Sequence, residues 1–567
     1  MEGRKDLAKE TALRVEFAHF LAENAERIPD AVDTAGAELA TTQELAAGLN
    51  LAESGWRTLY EQGILATARG EAERAKALYR SAVSKVEQLR SGLSQQEQQQ
   101  SLIDTEAVRD LYRRALSSVA AGETDDATLE IVERARARSF LDSLQGKRFR
   151  TDPAAISGGA AELAEIEKRI SASRVELTPR NEGVLRSAGH DPALLKMELA
   201  RLEDRFQLAR QESALTQDRS AHMLAANPVS LKRVRELLPP GTALVEYGLV
   251  NDGLVALVAN RAGSRRTQWK TNPEQLRKDV LRLRTLLASD GGGDEWKTLL
   301  RGVSERVSAP AIKLLPAGTS RIIVVAADYL QYLPFQVLET ADGEAIVDRY
   351  AVSYLPSASV LEFLPRRWRP VHDVFLGALG DTAIEGWPPL PGTVRETASI
   401  AGVFPAAPHA YGPAFTHDAA RDALLHHEAV HFATHGLLDE TAPLFSALLV
   451  AGDEGSPTRL SLYELTDMRI QARLVVLSAC ETGLGKISGG DEMSGLTRTF
   501  LAAGANTVVS SLWKVSDDST ALLMAGFYRR LRAGESPATA LRKAALEVRA
   551  KFPHPFYWAP FIVTGNG

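Results

Sequence analysis

The stretch ARLVVLSACETG, residues 472–483, decides the reading of this chain. Leu474–Leu477 form an uninterrupted apolar run of the kind that crosses a sheet covered on both faces, and the strand it predicts ends on Cys480. A second run, EAVHFATHG at 428–436, ends in the same way on His435 and Gly436. In open parallel sheets, reactive groups gather at the carboxyl ends of the strands. The 45 residues that separate His435 from Cys480 leave room for a hairpin or helix, so adjacent parallel strands would set the two side by side. Imidazole beside thiol is a nucleophile pair: the histidine takes the thiol proton and later protonates a leaving amine, while the thiolate attacks an acyl carbon. Gly436 lets a substrate backbone approach, and its N–H with that of Cys480 is a candidate oxyanion donor pair.

The same alternation of apolar runs and amphipathic helices extends in both directions. DVFLGAL, ALLVAG, TVVSSLW and PFIVTG read as strands, and VRETASIAGVF, MSGLTRTFLAAG, STALLMAGFYRRLRAG and PATALRKAALEVRA as helices. Upstream, TALVEYGLV, GLVALVAN and SRRTQWKT read as strands joined by Asn-Asp-Gly and Arg-Ala-Gly-Ser turns, after the break at Pro239-Pro240-Gly241; RIIVVAA is a buried strand. The predicted class is α + α/β, with a mostly parallel sheet over about 236–567, either one large sheet or two subdomains meeting near Pro370.

Residues 1–145 are rich in Ala, Glu, Arg and Leu at helical spacing. WRTLYEQGILATARGEAERAKALYRSAV, from Trp56, carries Gly63, Ala75, Tyr79 and Ala82 at the offsets of a tetratricopeptide helix pair, and a weaker copy follows from Val108 with its break at Gly122–Asp126. Two visible units are fewer than a free-standing solenoid needs, so these helices are expected to stack on neighbouring helices or on the next domain. Residues 146–235 read as a loop followed by a charged helix pair over 161–177 and 192–218.

At 567 residues the chain is too long for one core. Its 66 basic against 72 acidic residues leave a net charge of −6, which argues against a protein-wide field for nucleic acid or anionic lipid. With no long apolar stretch and no signal-peptide core at MEGRKDLAKE, the expectation is a soluble, cytoplasmic protein. A single cysteine excludes an intramolecular disulfide and any Cys-rich zinc or iron–sulfur site.

HFATHG, LVVLSACETG, the block GLTRTFLAAGANTVVSSLWKVSDDSTALLMAGFYRRLRAGESPATALRKA at 495–544 and HPFYWAPFIVTG at 554–565 together resemble the CHAT domain, a caspase-like and separase-like cysteine-peptidase fold often appended to tetratricopeptide repeats. The resemblance covers about 240–567. It implies His435 as general base, Cys480 as nucleophile and Gly436 as an oxyanion donor. It also implies a catalytically empty first half over 236–370 and an active half over 371–567. A bacterial-type endopeptidase is implied, acting in defence or regulated proteolysis on protein substrates and restrained by its helical module or by a partner docked there. The caspase signature Gln-Ala-Cys is absent, Ser478-Ala479-Cys480 standing in its place, so aspartate specificity does not carry over. The loop SLWKVSDDST lies where the resemblance places part of the specificity pocket; Asp517 or Asp518 there would select Lys or Arg, with Trp513 lining the loop, and Asp491 and Asp439 are weaker candidates. Equally, Asp before Ser-Thr is a common helix N-cap. The segment 484–495, rich in glycine and charge, is expected to order when the site is activated.

Other chemistries fit less well. His431 and His435 are four residues apart on a predicted strand, roughly 13 Å at about 3.3 Å per residue, so a zinc helix motif is not formed and no metal is expected. His431 reads as a core or supporting histidine. CETGLGKI has Cys480 where a phosphate loop needs its first glycine and Ile487 where it needs Ser or Thr, so no nucleotide cofactor is expected. The competing class is a silent CHAT and tetratricopeptide scaffold.

Overall fold

The computed structural model describes residues 2–24, 27–28, 30–49, 52–91, 106–120, 122–136, 228–291, 293–365, 367–382, 384, 386–437, 446–452, 457–480, 495–515 and 517–567, with six isolated positions between 169 and 205. The predicted 161–218 helix pair (but for those positions), Asp439, Asp491 and 484–494 lie outside the described residues. Residues 1–92, 99–141 and 228–567 form one compact unit, and 93–98 with 142–227 a second. The N-terminal helices and the sheet both belong to the first.

Among the described residues, the N-terminal region holds six helices: α1 (Glu2–Glu23), α2 (Ala31–Leu49), α3 (Ala52–Ala68), α4 (Ala72–Ser91), α5 (Glu106–Ala120) and α6 (Asp125–Arg134). The α3–α4 hairpin is built as its spacing predicts. A Cβ on Gly63 would lie 2.5 Å from the Tyr79 ring, so only glycine lets the helices come this close. Helix α6 starts at Thr124, whose hydroxyl accepts from the Ala127 N–H, with Asp125 and Asp126 complementing the first turn.

Thirteen strands form one sheet, in the order β10-β9-β8-β11-β12-β13-β5-β4-β1-β2-β3, with β6 beside β8 and β7 beside β6. The first half comprises β1 (Thr242–Val250), β2 (Gly253–Ala259), β3 (Ser264–Lys270), β4 (Arg321–Val325) and β5 (Ala351–Tyr354). The second comprises β6 (Val374–Ala378), β7 (His409–Tyr411), β8 (Ala429–Leu437), β9 (Ala447–Ala451), β10 (Pro457–Ser461), β11 (Leu474–Cys480), β12 (Thr507–Ser511) and β13 (Phe561–Gly565). Parallel pairs join β1 to β4, β4 to β5, β6 to β8, β8 to β11 and β11 to β12. The halves are fused by β13, which is antiparallel to β12 and parallel to β5 at Thr564↔Tyr354. Of the alternatives open in the sequence, the structure shows one large sheet.

Helices cover the sheet: α7 (Leu231–Leu237), α8 (Pro273–Leu287), α9 (Glu295–Arg306), α10 (Pro391–Val403), α11 (His417–His426), α12 (Gly495–Ala503), α13 (Asp517–Arg532) and α14 (Pro537–Lys551). One core runs through both halves, from Val245 and Leu276 to Phe527 and Val563. A second core joins the helical region to the sheet, because Tyr79, Leu116 and Val132 pack with Val250 and Val255. A Cβ on Gly248 would lie 2.5 Å from Leu116, so β1 needs glycine where the helices cross it. Polar groups lock the same seam. The buried Glu133 carboxylate accepts from Ser357 Oγ at 2.7 Å, Ala358 N at 2.8 Å and Ser359 N at 2.9 Å. Arg136 donates to the Val325 carbonyl at 3.0 Å. Burial, with Glu133 nearby, pushes the Glu246 carboxyl well above its ordinary range, against the pull of Arg136. No described helix is long and apolar enough to cross a membrane.

Candidate active site

Strands β8 and β11 run parallel with Leu474 opposite Ala429, and this register places Cys480 opposite His435 at their carboxyl ends. Neighbouring strands lie roughly 4.8 Å apart, so the two backbones meet at the distance the sequence argument required. His435 sits at a break on the other edge of β8. Pairing with β6 ends at Ala378↔Ala433, and pairing with β9 begins at Gly436↔Leu448. Gly436 is therefore the first residue of β8 to turn from one neighbour to the other.

The opening left by β6 is crossed by the chain from Leu379 to Leu390. Its ends are pinned, since Leu379 N–H donates to the Ala433 carbonyl at 3.2 Å and Leu390 N–H to the Gly380 carbonyl at 2.8 Å. This loop delivers the Pro388 carbonyl oxygen to 2.9 Å from His435 Nε2 and sets the Trp387 ring 5.1 Å from the imidazole. A carbonyl only accepts, so Nε2 is the protonated nitrogen and Nδ1 keeps its lone pair. Burial pushes the His435 pKa below the ordinary range; the Pro388 carbonyl opposes this in part, and the Lys514 cation adds to it. The imidazole is thus neutral near pH 7, which is the form a base requires.

Upstream on the same two strands lies a buried polar cluster. His431 is fully buried, its Nδ1 3.2 Å from the Tyr528 hydroxyl and its Nε2 3.2 Å from the Glu396 carboxylate. Ser478 Oγ–H donates to the other oxygen of Glu396 at 2.9 Å. Helix α10 thereby ties together β8, which carries His435, and β11, which ends in Cys480. The sequence reading of His431 as a core histidine agrees with this placement. It gave no sign of Glu396, Tyr528 or Pro388, which come from three other segments.

The loop after β12 carries Lys514, whose charge acts on the histidine. Asp517 and Asp518 open α13 and both face Arg395, at 3.6 and 2.7 Å, in exposed ion pairs. Trp513 is buried in the core, and its indole N–H donates to the Phe556 carbonyl at 3.1 Å.

A helical-repeat region joined to a mostly parallel, helix-covered sheet is the class of protein that this architecture defines. Residues 296–566 match the family model of the CHAT domain, so the chain carries a CHAT domain there. Tetratricopeptide repeat protein 28 of Mus musculus and that of Homo sapiens are each 24% identical over 306 residues, covering 44% of this chain and 12% of the relative. The chain thus spans about an eighth of the length of these curated relatives. Among solved structures, the Saccharomyces cerevisiae separase–securin complex matches with a TM-score of 0.41 at 10% identity, over 98% of this chain and 53% of that one. The Arg specific cysteine proteinase gingipain R matches with a TM-score of 0.32 at 9% identity, over 52% and 75%.

Proposed function

We propose that this protein is a cysteine endopeptidase of the caspase-like kind, with Cys480 as nucleophile and His435 as base. The observation that carries the reading is the parallel register of Cys480 with His435 at the carboxyl ends of β11 and β8, with Pro388 holding Nε2–H and leaving Nδ1 as the basic nitrogen. In this mechanism the thiol proton passes to Nδ1 and the thiolate adds to the scissile carbonyl carbon. The backbone N–H groups of Gly436 and Cys480 receive the oxyanion. Collapse expels the amine, which takes the proton from the imidazolium, and a thioester remains. Water, deprotonated by His435, hydrolyses the thioester and restores the thiol. Asp517 and Asp518 would favour a basic residue before the scissile bond, which would exchange for Arg395 as their partner.

Control by the helical region or by a protein docked on it belongs to this reading. That region packs against β1 and β2, and β1 is the fifth strand from β11, roughly 24 Å across the sheet. A signal from it must therefore travel through the sheet or over its edge, because the helices do not cover the dyad strands. The test is covalent labelling of the full chain with a peptidyl acyloxymethyl ketone, together with cleavage of a peptide library. Labelling and cleavage that vanish in Cys480→Ala support the reading. Cleavage that persists in that variant removes Cys480 as the nucleophile, and an unreactive thiol in the unaltered protein favours the scaffold.

A further inference from the structure

The carbonyl that holds His435 lies on a loop, and one side chain closes that loop. The loop, 379–390, leaves the sheet at the end of β6 and runs into the start of α10. Gly380 stands at its neck with a φ of 60°, a left-handed conformation that glycine adopts freely. Both backbone groups of Gly380 are taken: its C=O accepts from Leu390 N–H at 2.8 Å, and its N–H donates to Thr393 Oγ1 at 3.2 Å. The Thr393 hydroxyl in turn donates to the Leu390 carbonyl at 2.7 Å. A threonine that bonds a carbonyl three residues back is ordinary in helices, so that contact alone carries little. The bond from Gly380 is different, because it joins the far side of the neck to α10. With one proton on the hydroxyl, the two roles are fixed: Thr393 donates to Leu390 and accepts from Gly380. Thr393 is only 8% exposed, so water is a poor substitute for either bond.

Beyond the neck the chain turns at Ile384 and Trp387, where Trp387 N–H donates to the Ile384 carbonyl at 2.9 Å and Gly386 takes a φ of 81°. Pro388 follows at once, its carbonyl oxygen 2.9 Å from His435 Nε2. Only Pro389 separates it from Leu390, the residue that Thr393 grips. Proline has a fixed φ, so this short link is stiff, and closing the neck also fixes the Pro388 oxygen. One turn further along α10, and buried on the same inner face as Thr393, Glu396 accepts from Ser478, two residues before Cys480. The first turns of α10 therefore reach the candidate base through Thr393 and the strand of the candidate nucleophile through Glu396.

We propose that Thr393 is a positioning residue for His435: its hydroxyl closes the neck of the 379–390 loop and so holds the Pro388 carbonyl against Nε2–H, which keeps Nδ1 unprotonated. The value of this to catalysis rests on the peptidase reading, but the effect on the ring does not. Without the hydroxyl, Gly380 N–H loses its acceptor inside the protein, and the neck opens to recover one. Pro388 then moves, and the imidazole is free to turn and to exchange tautomers. If Thr393 only stabilised the start of α10, its loss would lower the melting temperature and leave His435 as it was.

The test is long-range proton–nitrogen NMR of the full chain labelled at histidine, with the His435 ring signals assigned by their loss in His435→Gln. The unaltered protein should show one His435 tautomer, protonated on Nε2. In Thr393→Val, which keeps the shape and removes the hydroxyl, and in Thr393→Ala, the two ring nitrogens should shift towards the averaged positions of an exchanging imidazole. Thr393→Ser keeps the hydroxyl and should restore the single tautomer. Alkylation of Cys480 by the peptidyl ketone should slow about ten-fold or more in the first two variants and stay near the unaltered rate in the third. The melting temperature of each variant checks its fold. A tautomer protonated on Nδ1 in the unaltered chain, a His435 spectrum unchanged in folded Thr393→Val or Thr393→Ala, or a Thr393→Ser chain that behaves as they do would overturn the proposal. A Cys480 that is unreactive in the unaltered chain counts against the peptidase reading alone, because the His435 spectrum still decides what Thr393 does.

Discussion

Glu396 should be the costliest small change near the candidate site, and its cost follows from its burial and two contacts. The carboxylate is 3% exposed, accepts from Ser478 at 2.9 Å and lies 3.2 Å from His431 Nε2. Glu396→Ala deletes the hydrogen bond from Ser478, about 1.5–3 kcal/mol, and leaves the Ser478 hydroxyl facing a void, about 1–3 kcal/mol, while His431 Nε2, which makes no hydrogen bond among the described residues, loses only a close polar neighbour. Relief of the carboxylate's own desolvation works in the opposite direction and is worth several kcal/mol, so the net is about 3–5 kcal/mol, as for other broken buried pairs. Glu396→Gln keeps the volume and an acceptor for Ser478, and should cost only about 1 kcal/mol. Urea unfolding of the full chain measures both. With a slope of about 3 kcal/mol/M, the alanine variant should unfold roughly 1 M earlier and the glutamine variant roughly 0.3 M earlier. The decisive measurement is the double variant Glu396→Ala/Ser478→Ala, whose coupling energy should be about 1–2 kcal/mol. A coupling below about 0.3 kcal/mol, or an alanine midpoint equal to that of the unaltered chain, would refute the claim that Glu396 ties β11 to β8.

Other outcomes follow from the same contacts. Because burial and Lys514 lower the pKa of His435, the rate of alkylation of Cys480 should rise with pH to a plateau with its midpoint below about 6.5; a midpoint at or above that value would exclude His435 as the base. The unfolded chain takes up the His435 proton first, so this residue subtracts stability as pH falls through about 6.5. His417, raised mainly by its hydrogen bond to Glu464, does the reverse: its contribution is full below about 6.5 and is lost as pH rises through its folded value, and His417→Gln should flatten that loss in pH-dependent melting. Gly63→Ala gains about 1 kcal/mol of helix propensity but drives a methyl into the Tyr79 ring at 2.5 Å, so a net loss of about 1–2 kcal/mol should appear in thermal unfolding, and an unchanged melting temperature would contradict the close approach. If Asp517 and Asp518 select basic residues, the double alanine variant should lose its preference for Lys and Arg in a peptide library and leave Arg395 unpaired by them; a preference that persists would free both residues from that role.

What could be read from the chain, and what could not, divides along the range of the physics involved. The strand ends at His435 and Cys480 were legible because an apolar run and its terminus are local facts, and a parallel register follows once two such runs are neighbours. The Gly63–Tyr79 contact was legible for the same reason, being fixed by helical spacing within one hairpin. Pro388, Glu396 and Tyr528 were not, since each reaches the site from a separate segment and nothing in proline, glutamate or tyrosine at those positions differs from an ordinary loop, surface or core residue. Asp517 and Asp518 show the opposite limit: an acidic pair at a helix start suits a pocket or a cap, and only the position of Arg395 on another helix reveals the partner they already have. Strand direction is not legible from the helices between strands. α8 and α9 lead from β3 into β4, which runs the same way, whereas α13 and α14 lead from β12 into β13, which runs antiparallel to it, so the number of helices does not set the direction. Reversed in this way, β13 lies parallel to β5 and closes the two halves into one sheet.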